Sequence, residues 1–168
     1  MRLMILLAAS LVVAAPPLAT QSTVGLSDDD VAAINEFMAS YLEAVRGGDW
    51  DAWLQLWADD VVYMPPNSPA IEGLATLREA THEYPLVEDA SITVDEIDGR
   101  ADLAFVRGKF LLTIPTHVGA EPITDVGKFL IILRKAPDGI WQAAIECYNS
   151  DLPLPSMGGE HMEREEHN

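Results

Sequence analysis

The feature that most constrains this chain is the order in which its hydrophobic spacing changes. From Ser27 to Trp57 the apolar residues recur every three or four positions. From Pro85 to Asp151 they fall in strand-like runs punctuated by Asp98-Gly99, the neighbourhood of Gly119, and Pro137-Asp138-Gly139. Helices first and a meander of antiparallel strands afterwards predict an α+β domain, in which a strongly curved sheet wraps the long helix and leaves a cavity at its open end.

The individual elements follow from local chemistry. Ser27 before Asp28-Asp29-Asp30 is a helix start, because a hydroxyl can cap free N–H groups and carboxylates suit the positive helix end. Ile34, Met38, Tyr41, Leu42 and Val45 give that helix one buried face, and Gly47-Gly48 end it. Asp49 caps a second helix whose Trp50, Trp53, Leu54 and Trp57 form one stripe, read as core. Val61 to Met64 is a short strand halted by Pro65-Pro66, and a third helix is expected around Leu74 to His82. Strands are expected over Ser91–Ile97, Leu103–Ile114, Ile123–Lys135 and Ile140–Asn149.

Residues 1–23 read as a signal peptide, with Arg2 as its charged start, Leu3 to Ala15 as an apolar stretch too short to span a bilayer, and cleavage between 15 and 23. A secreted or periplasmic protein, with no membrane association after signal removal, is the expectation. Residues 24–155 form one domain, and 156–168 an acidic, disordered tail with too few apolar residues to offset ordering entropy. With 27 acidic residues against 10 basic, the net charge of −17 opposes binding to nucleic acid. Cys147 has no intramolecular partner, since it is the one cysteine. His82, His117, His161 and His167 form no cluster at metal-ligand spacing, and no nucleotide-binding motif is present, so neither metal nor cofactor is expected.

The succession Tyr41-Leu-Glu-Ala-Val-Arg-Gly-Gly-Asp49, Trp50 to Trp57, Asp59-Asp60-Val-Val-Tyr-Met-Pro-Pro66, Asp125-Val-Gly-Lys128 and Asp138-Gly-Ile-Trp141 running into Tyr148-Asn-Ser-Asp151 resembles the SnoaL-like (DUF4440) branch of the NTF2-like superfamily. The resemblance implies a cone-shaped fold with a pocket, and a homodimer joined through the outer face of its sheet. The same cone carries ketosteroid isomerase, which works with a carboxylate base, a tyrosine and a protonated aspartic acid. By that resemblance Tyr41 matches the oxyanion tyrosine, the base falls on Pro65, which cannot ionise, and the donor carboxyl falls near Lys128. A steroid-isomerase mechanism is therefore disfavoured, while the pocket that hosts it is retained.

Period-two alternation sets Ala144, Glu146 and Tyr148 on one face of the last strand and Trp141, Ala143, Ile145 and Cys147 on the other. Glu146 then points into the cavity as an acid among aromatics, the leading acid/base candidate. With the hairpin turn near Pro137 to Gly139, Lys128 falls opposite Glu146, so an ion pair between them is the competing reading. Tyr41 likewise has two readings, a pocket-facing hydroxyl or a core tyrosine. Asp125 alternates away from Lys128 and reads as structural.

Two functions compete at this point. One is a pocket for a small, largely apolar molecule, contacted by Tyr41, Trp57, Tyr63, Lys128, Glu146 and Tyr148, with cofactor-free isomerase- or hydrolase-like acid/base chemistry at Tyr41, Glu146 and Lys128. The other is a noncatalytic association module whose cavity is filled by side chains.

Overall fold

A computed structural model describes residues 25–116 and 121–153; the signal peptide and the acidic tail expected from the sequence lie outside the described residues, as does the turn at Gly119. The first helix, α1 (Asp28–Gly47), opens on a complete capping box: the Ser27 hydroxyl accepts from the Asp30 N–H at 3.1 Å, and the Ser27 N–H donates to the Asp30 carboxylate at 3.3 Å. It buries Ile34, Phe37, Met38, Tyr41, Ala44 and Val45. Gly48 stops it in the left-handed region, at φ 61°, where a side chain would be strained.

Asp49 caps α2 (Trp50–Leu54) by accepting from the Ala52 N–H at 2.9 Å. The tryptophan stripe expected to stay helical to Trp57 leaves the helix after Leu54, and Trp57 instead opens strand β1 (Trp57–Met64). A helix of five residues has little stability of its own. Its last turn tightens into i→i−3 bonds, and the Leu56 carbonyl is taken by the Ala143 N–H at 2.9 Å, which draws the chain into the sheet. A two-residue strand, β2 (Ile71–Glu72), pairs with β1 and precedes α3 (Leu74–Ala80) and a 3-10 turn at Thr81–Glu83.

Four long strands complete the domain: β3 (Asp89–Arg100), β4 (Leu103–Ile114), β5 (Ile123–Lys135) and β6 (Trp141–Ser150). The single sheet has the order β2-β1-β6-β5-β4-β3. The expected meander β3 to β6 is antiparallel throughout, whereas β1 joins β6 in parallel, a long-range pairing that no local turn announces. Irregularities between Val94 and Glu96 and at Ala144 interrupt the ladders and increase bending, which lets the sheet curl around α1.

The helix is tied to the sheet at both ends. At its start the Asp30 carboxylate accepts from Lys135 Nζ at 2.6 Å and from the Trp141 indole N–H at 3.3 Å, fixing it to the β5–β6 hairpin. At its end Arg46 Nε donates to the Ala90 carbonyl of β3 at 2.5 Å. Between these anchors Ile34, Trp53, Trp57, Leu77, Ile131 and Leu133 are almost wholly removed from solvent and form the centre of the core.

The Ala144 bulge governs which residues of β6 face inward. Leu133 pairs with Ala143 and Ile132 with Ile145, so Ala144 has no partner on β5. Strict alternation would place Trp141 and Ala143 on the face opposite Glu146. The extra residue resets the alternation, and Trp141, Ala143, Glu146 and Tyr148 all turn inward while Cys147 is exposed.

Candidate functional site

Beyond the packed centre, α1, β1, the segment after α3 and strands β3 to β6 enclose a partly open cavity of about 220 Å³. Its wall is apolar and aromatic, with Trp53, Tyr63, Phe110, Phe129 and Tyr148 prominent. Phe110 stands where it does because position 127 is glycine: a Cβ there would lie 2.5 Å from the Phe110 ring and 2.2 Å from the Asn149 carbonyl oxygen. Phe110 and Tyr148 then meet edge to face, with ring centroids 5.8 Å apart.

Glu146 lies at the inner end of this cavity and is 4 % exposed. The Tyr41 hydroxyl reaches across from α1 and lies 3.1 Å from each carboxyl oxygen. Burial raises the Glu146 pKa from its ordinary 4.5 to about 8, and the Tyr41 hydrogen bond offsets only part of that rise. Glu146 is therefore mainly a neutral carboxylic acid at pH 7, able to accept from Tyr41 on one oxygen and donate its own proton. Burial, and then the Glu146 charge when present, push the Tyr41 and Tyr63 hydroxyls upward as well, so both stay protonated donors.

Two further donors belong to cavity-lining residues. The Tyr84 hydroxyl and the Trp53 indole N–H are buried and make no hydrogen bond. The indole lies near enough to the Tyr41 oxygen to favour its ionised form, yet without hydrogen-bond geometry. Burial raises the Tyr84 hydroxyl to about 12. The Tyr63 hydroxyl lies near enough to that of Tyr84 to oppose part of this rise, yet without hydrogen-bond geometry.

The expected site is thus assembled in part. Tyr41, Tyr63, Glu146 and Tyr148 line one cavity, and Tyr41 takes the pocket-facing position. Lys128 does not join them. It pairs with Asn149 rather than Glu146 in the ladder, and its ammonium makes an exposed ion pair with Asp151. Glu146 stands opposite Ile131. Trp57 is also outside the cavity lining: it is 1 % exposed and packs edge-on against Trp53 and Tyr63, supporting the wall from behind.

Conversely, Asp125, expected to be structural, lines the cavity at the end remote from Glu146, and Tyr84 and Phe110 line it without having been singled out. Among the described residues no three His, Cys, Asp or Glu side chains gather as a metal site, and no helix is long and apolar enough to cross a membrane.

The SnoaL-like domain family matches residues 38–143, well over half of the chain. The chain belongs to the SnoaL-like domain family. A comparison with curated proteins gives no match. Among solved structures it is similar to a ketosteroid isomerase-like protein from Erwinia carotovora atroseptica, at 28% identity and TM-score 0.69, covering 76% of this chain and all of the other. It is also similar to an NTF2-like superfamily protein from Salmonella enterica serovar Typhimurium (15% identity, TM-score 0.62, 76% and 95% covered). A putative dehydratase of the NTF2-like family from Streptomyces avermitilis gives 17% identity, TM-score 0.61, and 76% and 100% covered. This SnoaL-like protein therefore has the NTF2-like fold, the α+β cone expected from its element order.

Proposed function

We propose that this SnoaL-like protein binds a small, largely apolar molecule carrying an acceptor oxygen such as a carbonyl. The observation that carries this reading is the Tyr41–Glu146 pair, 3.1 Å apart at the inner end of an apolar cavity, with Glu146 held protonated by burial. With Tyr41 donating to the carboxyl group of Glu146, the Glu146 proton remains to be given to an acceptor in the cavity. The same acid is placed to pass a proton to a bound substrate without a cofactor. The isomerase-like and dehydratase names of two similar structures agree with such chemistry.

The motif order around Trp50 to Trp57 and Asp138-Gly139 supports placing the chain in the DUF4440 branch, and the residue 1–23 leader supports a secreted or periplasmic location. N-terminal sequencing of exported material should find a chain beginning between residues 16 and 24; an intact Met1 in cytosol would defeat the export reading.

Titration calorimetry with 2-acetylnaphthalene, a neutral apolar ketone, tests the pocket, alongside native mass spectrometry for a molecule retained on purification. Binding that weakens about tenfold in Glu146→Leu, one lost hydrogen bond to a buried acceptor, is the expected result, with a smaller loss in Tyr41→Phe, which acts through Glu146. No retained molecule and no ketone binding would leave the association module, which the exposed Val126 and Leu130 of the outer sheet face favour.

A further inference from the structure

The polar groups of the cavity are not all at its inner end. Asp125 lies on β5 with the same alternation as Phe129 and Ile131, and so turns inward, near the strand's start and away from the Glu146 end. Ser150 fixes its orientation: the Ser150 hydroxyl donates to Asp125 Oδ1 at 2.5 Å and accepts from the Leu152 N–H at 3.0 Å. Tyr148 stands between the two acids, and the charge of each opposes ionisation of its hydroxyl. Among the described residues no Lys, Arg or His makes an ion pair with Asp125, and none lines the cavity.

We infer that the ligand is an apolar amine, its ammonium held at the rim by Asp125 beside the Phe110 and Tyr148 rings while its apolar body fills the cavity. This rests on the reading of the cavity as a small-molecule site and adds the ligand's charge to it. A carboxylate next to two aromatic rings is the combination that holds an organic cation, by charge and by the ring quadrupoles. The alternative charge has no counterpart, because among the described cavity-lining residues an anionic ligand would meet the Asp125 carboxylate and no base. The net charge of −17 acts in the same direction, raising the local concentration of cations and repelling anions.

Three matched probes separate the possibilities by calorimetry: 2-naphthylmethylamine, the neutral 2-naphthylmethanol, and 2-naphthoate. The amine should bind about tenfold or more tightly than the alcohol, with the carboxylate weakest. Asp125→Asn should bring the amine to the alcohol's affinity and leave the alcohol unchanged, which also shows that the variant is folded. Phe110→Leu should reduce the amine's preference through loss of the ring. Equal affinity for amine and alcohol would overturn the inference and leave the cavity reading standing. An amine preference that survives Asp125→Asn would overturn it too, by placing the ammonium elsewhere. Binding of none of the three would overturn the inference if 2-acetylnaphthalene binds, and would defeat the cavity reading itself if the ketone fails as well.

Discussion

The Tyr41 hydroxyl is equidistant from the two oxygens of Glu146, 3.1 Å from each, although 105 residues separate them in sequence. One is placed by the buried face of a capped helix and the other by a strand whose alternation has been reset. The pair therefore depends on the helix being held in position over the sheet as much as on either residue.

Stability should fall as pH rises between about 4.5 and about 8. In that window the unfolded chain has released the Glu146 proton and the folded chain has kept it, so each pH unit costs about 1.4 kcal/mol. Above the folded value both states are ionised and the slope vanishes. Urea unfolding across this range should show the slope in the wild type and lose it in Glu146→Gln.

Removing the Tyr41 hydroxyl should raise the Glu146 pKa further, because that hydrogen bond is what opposes the effect of burial. Tyr41→Phe should also cost about 1 kcal/mol of stability. Carbon-detected NMR titration of the Glu146 carboxyl measures the shift directly, and an unchanged or lower pKa would contradict the pairing.

Asp30 takes part in the capping box and accepts from Lys135 and Trp141, and these hydrogen bonds, Lys135 first, hold its carboxyl well below the usual range. Asp30→Ala should lower Tm more than Asp28→Ala or Asp29→Ala, which share its place in the first turn without those partners. Equal losses in the three variants would mean that helix-end charge, rather than the anchor, is what counts.

The outer face of β5 presents Val126 and Leu130, 37 % and 41 % exposed, and Leu130 is paired with the exposed Cys147 of β6. A homodimer through this face is the expected state in solution, because it would cover apolar surface that a monomer leaves wet. Solution scattering should give a dimer mass for the wild type and a monomer for Leu130→Asp. A wild-type monomer at micromolar concentration would count against it.

Much of this architecture is legible in the chain. Ser27, Asp49 and Gly48 mark helix ends by chemistry that acts within a few residues, and Pro137-Asp138-Gly139 marks a hairpin for the same reason. Asp98-Gly99, expected as a turn, instead lies paired inside β3, and the chain reverses at Ala101-Asp102, with Ala101 at φ 51°. What is not legible comes from distant partners. Trp57 keeps helical spacing with Trp50 and Trp53, yet β6 claims the backbone beside it. Lys128 looks opposite Glu146 until the true centre of the hairpin and the residue added at Ala144 move it to Asn149. Asp125 was within reach: the alternation that separates it from Lys128 puts it inside once Lys128 is outside. Tyr84 and Phe110 carry no mark in sequence, since the curvature of the sheet brings them to the cavity.

The bulge at Ala144 also gives β6 a natural seam. Residues 141–143 serve the helix anchor and the core, through Trp141 on Asp30 and the buried Ala143. Residues 146–150 serve the cavity, through Glu146, Tyr148 and the Ser150 that orients Asp125. An irregularity that absorbs changes of twist between two such stretches lets one be altered with little demand on the other. Mutational drift in a protein of this kind can then revise what the cavity holds, from one side of the seam, while the residues that make the chain fold stay as they are on the other.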